Sequence, residues 1–169
     1  MEPLPSTHDR LFVAVLGHRH AGKSRTWNTL FGGGVHTGRY ARRLELLPGE
    51  CVEVFLVSGS PEERGLYAGD IITDPSCRIV LCSMQYVEHV SKTIEYVRDN
   101  GFKLFVQWLN PGYSDPTAYW DDLGLTARLL SMPSALSIRT GKTPPEPRVQ
   151  ELREVIYGWA KYRRLIFSC

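Results

Sequence analysis

The chain has 169 residues, 43% of them hydrophobic and 22% charged, with a formal net charge of +2. That length fits one domain over residues 1–169 with a core of its own, and the composition is that of an ordinary globular protein. A charge so small predicts neither nucleic acid nor an acidic membrane as partner, and leaves only a local basic patch open.

The chain begins MEPLPSTHDRLFVAVLG, acidic before an apolar stretch too short for a signal or membrane helix. The expectation is a cytoplasmic protein that does not enter a membrane. Residues 11–16 (LFVAVL) form a continuous apolar run ending in glycine, the pattern of a buried central strand. Residues 23–31 predict a helix closed by the triplet Gly32-Gly33-Gly34. Arg43 to Leu47 and Val52 to Val57 predict a hairpin around Pro48-Gly49, and a loop with a short helix follows over 61–68.

Residues 78–83 (RIVLCS) predict a second buried strand. Over 84–99, Met84, Val87, Val90, Ile94 and Val97 recur at helical spacing until Asn100-Gly101. The run 102–109 (FKLFVQWL) predicts a strand stopped by Asn110-Pro111-Gly112. Asp115-Pro116 then opens a helix through about Leu130. Ser134 to Arg139 predict a last strand, and 147–164 a final helix with Val149, Leu152, Val155, Ile156 and Trp159 on one face. This alternation implies an α/β fold with a mostly parallel sheet, helices on both faces and one antiparallel hairpin strand.

None of the four cysteines has CxxC or zinc-finger spacing. Cys77 and Cys82 flank an apolar run and read as buried free thiols, which points to a reducing compartment.

The segment GHRHAGKS matches GxxxxGK[ST] at each fixed position, between an apolar strand and a helix. Gly17 and Gly22 let the backbone curl, so that the N–H groups of His18, Arg19, His20 and Ala21 point inward at phosphate oxygens. Lys23 brings charge to the β and γ phosphates, and the Ser24 hydroxyl is the candidate magnesium ligand. The helix that follows adds its N-terminal dipole, with Arg25 in its first turn. A nucleoside triphosphate with Mg2+ is the expected ligand, as GTP or ATP. His18 and His20 read as partly exposed imidazoles near the phosphates rather than a metal pair, since no third ligand is evident.

The longer segment GHRHAGKSRTWNTLFG resembles the opening of small GTPases of the ribosome-assembly and dynamin-like type, with Asn28, Leu30 and Gly32 at matching positions. The resemblance implies the three-layer fold of the P-loop NTPases, with Thr37 as the first switch threonine. It also implies a base-contacting loop after Ser134 to Arg139, which puts Arg139 or Thr140 near the base. Two family motifs are altered. Ser58 stands where the magnesium-directed aspartate belongs. Asn110-Pro111-Gly112-Tyr113 replaces the guanine-selecting N-K-x-D, so Asn110 is retained without its lysine and aspartate. Base preference is therefore open.

Glu62 and Glu63 are the candidates for a catalytic acid that orients water or metal. Solvated surface carboxylates are the competing reading for these two, as for Asp70 and Asp74. Arg39, Arg42 and Arg43 cluster beside the phosphate site, either as a charge donor or as a solvated edge. Of the aromatics, Trp108 reads as core and Tyr113 as a candidate for base stacking.

The leading expectation is a slow NTP hydrolase or a nucleotide-dependent switch, with a protein partner or a second copy implied by analogy. A small-molecule kinase is the alternative, with Arg39, Arg42, Arg43 and Arg64 to hold an acceptor phosphate. A nucleotide-sensing module without catalysis is the third. A nucleic-acid-processing ATPase is the least supported, because neither net charge nor spaced aromatics suggest a strand-binding groove.

Overall fold

The computed structural model describes residues 9–110 and 121–169. The chain runs β1 (Arg10–Gly17), α1 (Lys23–Phe31), β2 (Arg42–Leu47), β3 (Glu50–Val57), α2 (Ala68–Ile71) and β4 (Ile79–Gln85). It continues through α3 (Val90–Asp99), β5 (Phe102–Leu109), α4 (Leu125–Leu130), β6 (Ser134–Arg139), α5 (Glu146–Tyr162) and β7 (Phe167–Ser168). One sheet has the order β2-β3-β4-β1-β5-β6. The pairs among β3, β4, β1, β5 and β6 are parallel, and β2 is antiparallel to β3 as the hairpin pattern predicts.

Every residue of β1 is buried, because it is central and covered on both sides. Its alternation divides the core. Phe12, Ala14 and Leu16 face a cluster with Val90, Ile94 and Val97 of α3 and Leu125 and Leu129 of α4. Leu11, Val13 and Val15 face Trp27 and Leu30 of α1 and Val149, Leu152, Ile156 and Ala160 of α5. Helices thus pack on both faces of the sheet. Burying each large apolar side chain contributes roughly 1.5–3 kcal/mol. Trp27 is fully buried, and its indole N–H donates to Ser83 Oγ at 2.8 Å, which satisfies the one polar atom it carries inward.

Several boundaries differ from the pattern-based expectation. The helix expected over 84–99 begins only at Val90. Met84 and Gln85 instead complete β4 opposite Leu16 and Gly17, where parallel pairing outweighs helical periodicity. The short helix expected over 61–68 is a set of turns broken at Gly65 (φ 61°), with α2 starting at Ala68. The helix expected from Asp115 is seen as α4, from Leu125. The Asp121 carboxylate caps it, accepting the backbone N–H of Leu125 at 2.9 Å and of Thr126 at 2.6 Å. Residues 111–120, with Pro111, Tyr113, Asp115 and Trp120, lie outside the described residues. Trp108 is core as expected, stacked on Tyr86 with ring centroids 5.3 Å apart.

β7 was not foreseen. It pairs antiparallel with the start of β3 and places Cys169 beside Cys51, to which it is disulfide-bonded. Cys77 and Cys82 are buried and free as expected, and burial pushes both thiols up. The Cys51–Cys169 bond runs against the reducing compartment expected from the free thiols, since such bonds persist in oxidising surroundings. The bond closes a sequence separation of 118 residues. Its reduction is expected to lower stability by up to about 4–5 kcal/mol, less any structure kept by the unfolded chain. Urea unfolding with and without a dithiol reductant, with a Cys51→Ser, Cys169→Ser variant as reference, measures this. No helix among the described residues is long and apolar enough to cross a membrane.

Candidate functional site

The Gly17–Ser24 turn joins the C-terminal end of β1 to the N-terminus of α1. A side chain at Gly17 would place its Cβ 2.7 Å from Ala21 Cβ. Gly22 has φ 110°, a conformation disfavoured for any residue with a Cβ, and caps α1 with no side-chain hydrogen bond. No acid occupies the first turn of α1. With no acidic side chain there and no side-chain cap at Gly22, the helix dipole favours an anion at this end.

Lys23 is buried against this turn. Its Nζ donates to the carbonyls of Gly17 at 3.1 Å and His18 at 2.8 Å, and Glu63 Oε1 lies 3.8 Å away. A cleft of about 790 Å³ opens over it. It is lined by Arg19, His20, Ala21, Gly22, Lys23, Ser24 and Arg25 together with Ser58, Glu62, Glu63, Gln85, Val87 and His89. Most of the residues singled out from the sequence thus meet in one place. His18 lies beside it, its ring tilted against Tyr86 at 5.2 Å. Tyr86 in turn donates from its hydroxyl to Asp121 at 2.6 Å.

Ser58 follows the last residue of β3, and its backbone N–H donates to Thr37 Oγ1 at 3.0 Å. The two glutamates differ. Glu63 is exposed and faces Lys23. Glu62 is anchored. Thr93 Oγ1 donates to its Oε1 at 2.7 Å, and the Gln85 backbone N–H donates to its Oε2 at 3.3 Å. Burial raises the Glu62 carboxyl above its ordinary value, against the opposing effect of those bonds and the Lys23 charge.

A carboxyl with a raised folded pKa binds its proton more tightly in the folded chain. Its contribution to stability is present below the unfolded value of about 4.5 and is lost as pH rises through the folded value. Glu62→Gln is expected to remove this part of the pH dependence and flatten the stability curve above about pH 4.5. Urea unfolding of both proteins across about pH 4 to 7 checks it.

The turn is braced from behind by residues far apart in sequence. Asn110 is fully buried at φ 64°. Its Nδ2 donates to the Ala21 carbonyl at 3.1 Å, and its Oδ1 accepts the Gly141 backbone N–H at 2.6 Å. Lys142 Nζ donates to the His20 carbonyl at 2.9 Å. Arg148, 3% exposed, donates to Thr26 Oγ1 at 3.0 Å and to the carbonyls of Thr140, Thr143 and Gly22. Arg139 ends β6 and pairs with Glu151 of α5, and it does not line the cleft.

Gly141 and Arg148 escaped the sequence reading. The T-G-K segment after β6 signals a close turn, but a lone arginine in the first turn of α5 carries no local sign of contacts more than 120 residues away. No protein-family model matches the chain, and no curated protein matches its sequence.

Proposed function

We propose that the chain is a P-loop NTPase-fold protein, related to the small GTPases it resembles, that binds a nucleoside triphosphate in the Lys23 cleft and acts as a slow hydrolase or nucleotide-dependent switch. One observation carries this reading. The Gly17–Ser24 turn brings the N-terminus of α1, which has no side-chain cap, to a cleft that also holds the buried Lys23. Backbone N–H groups, a helix dipole and one ammonium are what polyphosphate oxygens require. The parallel sheet, with helices on both faces and the cleft at the carboxyl end of its central strand, suits the three-layer fold.

In this reading phosphate binding replaces the contacts Lys23 makes with two carbonyls and Glu63. The donor set fits magnesium held mainly through phosphate oxygens and water, with Ser24 and Ser58 offering neutral hydroxyls and Glu63 a carboxylate. Bound there, the ion would neutralise phosphate charge. Glu62, fixed by Thr93 and Gln85, would accept a proton from an attacking water. Its raised pKa brings it closer to neutral working conditions.

Isothermal titration with ATP and with GTP, each with magnesium, tests the reading. At least one triphosphate is expected to bind, with affinity falling about a hundredfold or more in Lys23→Ala, equivalent to about 3 kcal/mol. Equal binding by the two proteins, or none by either, overturns it.

A further inference from the structure

A second cleft, of about 1050 Å³, adjoins the first and shares Ser24 and Ser58 with it. Hydrogen bonds hold its walls in place. The Gly38 backbone N–H donates to the Leu56 carbonyl at 3.1 Å, Thr73 Oγ1 donates to the Arg39 carbonyl at 3.3 Å, and Arg64 Nη1 donates to Thr37 Oγ1 at 3.1 Å. Thr37 Oγ1 also accepts the Ser58 N–H, so the loop between α1 and β2 is tied twice to the loop after β3 through one hydroxyl.

The arginines of this region separate by role. Arg42 is used internally, donating to the His36 carbonyl at 2.7 Å with its guanidinium 5.8 Å over the Phe31 ring. Arg43 lines a different depression, with Leu44 and Arg153. Arg39 and Arg64 both line the second cleft, and neither forms an ion pair among the described residues. The cleft also carries His36, Tyr40 and a single carboxylate among those residues, Asp70. Arginines without acidic partners in a concave site match a phosphomonoester, because the planar guanidinium fork can meet two of the phosphate oxygens at once.

We infer that this second cleft binds a hydroxyl-bearing phosphomonoester of metabolite size and presents its hydroxyl to the γ phosphate, making the protein a phosphotransferase. The inference rests on the reading of the Lys23 cleft as the triphosphate site. Ser24 and Ser58 form the border between the two clefts, where the terminal phosphoryl group would face the acceptor. In the step, the acceptor oxygen forms a bond to the γ phosphorus while the bond to the β–γ bridging oxygen breaks. The nucleoside diphosphate leaves with that electron pair, and the hydroxyl proton passes to the Asp70 carboxylate.

The test titrates the full chain with the nucleoside 5′-monophosphates and with glucose 6-phosphate, using wild type, Lys23→Ala and Arg39→Ala. Arg39 is exposed and its guanidinium makes no hydrogen bond among the described residues, so its removal leaves the fold intact, as matching melting curves would verify. At least one probe is expected to bind wild type and Lys23→Ala within about threefold of each other, and Arg39→Ala about tenfold more weakly. With that probe present, label from a γ-labelled triphosphate is expected to appear on the probe. Triphosphate binding that depends on Lys23 without any probe binding overturns this inference and leaves the first reading standing. Probe binding lost in Lys23→Ala but not in Arg39→Ala also overturns it, because the probe then occupies the first cleft. Probe binding without triphosphate binding overturns the first reading and, with it, the transfer.

Discussion

Gly141→Ala is expected to destabilise the protein by about 2–4 kcal/mol and to weaken triphosphate binding at least about tenfold, although residue 141 would touch no phosphate. A Cβ there would lie 1.8 Å from the Ala21 carbonyl oxygen, 3.0 Å from the Ala21 carbonyl carbon and 3.2 Å from Leu109 Cδ1. Two of those atoms are backbone, so no rotamer change relieves the clash. Either the Gly17–Ser24 turn moves or the turn after β6 moves. Gly22 is trapped in the same contact, because a Cβ on it would meet the Gly141 carbonyl oxygen at 2.7 Å. Urea unfolding and titration of the variant check both expectations. Wild-type stability would mean that the two turns do not pack as described.

Asn110→Ala is the second large effect, about 3 kcal/mol of stability. The substitution strands two buried groups at once, the Ala21 carbonyl and the Gly141 N–H, and unsatisfied buried groups cost roughly 1–3 kcal/mol each. It also removes an asparagine, a residue that tolerates the φ of 64° found there better than alanine does. Asn110→Asp is expected to be nearly as damaging, since a carboxylate cannot donate to the Ala21 carbonyl. Because Asn110 and Gly141 act on the same joint, the double variant should lose clearly less than the sum of the two single losses. Full additivity in a double-mutant cycle by urea unfolding would contradict a shared brace.

The strand that carries the site was legible because a central parallel strand has no polar face to hide. LFVAVLG reads as buried throughout and is so. The Gly17–Ser24 turn was legible because its glycines and lysine are fixed by local backbone geometry. The hairpin of β2 and β3 follows from Pro48-Gly49, with Gly49 at φ 76°.

What escaped depends on contacts distant in sequence. Val87 fits a helical repeat with Met84, yet Met84 belongs to β4 because Leu16 pairs with it across the sheet. β7 has two residues and exists through its pairing with β3 and the Cys51–Cys169 bond. Glu62 and Glu63 were indistinguishable as neighbouring loop acids. Thr93 of α3 and Gln85 of β4 make Glu62 the anchored one, while Glu63 faces Lys23. The pairing of Arg139 with Glu151 of α5 had no local sign in the sequence either.

A triphosphate bound at the Gly17–Ser24 turn protects the backbone amides of that turn first. Hydrogen exchange of the backbone amides, measured with and without GTP or ATP in the presence of magnesium, reads this residue by residue. Slowed exchange concentrated in residues 18–25, with lesser protection at 58–63 and none of it in Lys23→Ala, is expected. Protection centred elsewhere, or an unchanged profile at saturating concentrations of both nucleotides, would contradict binding at that turn.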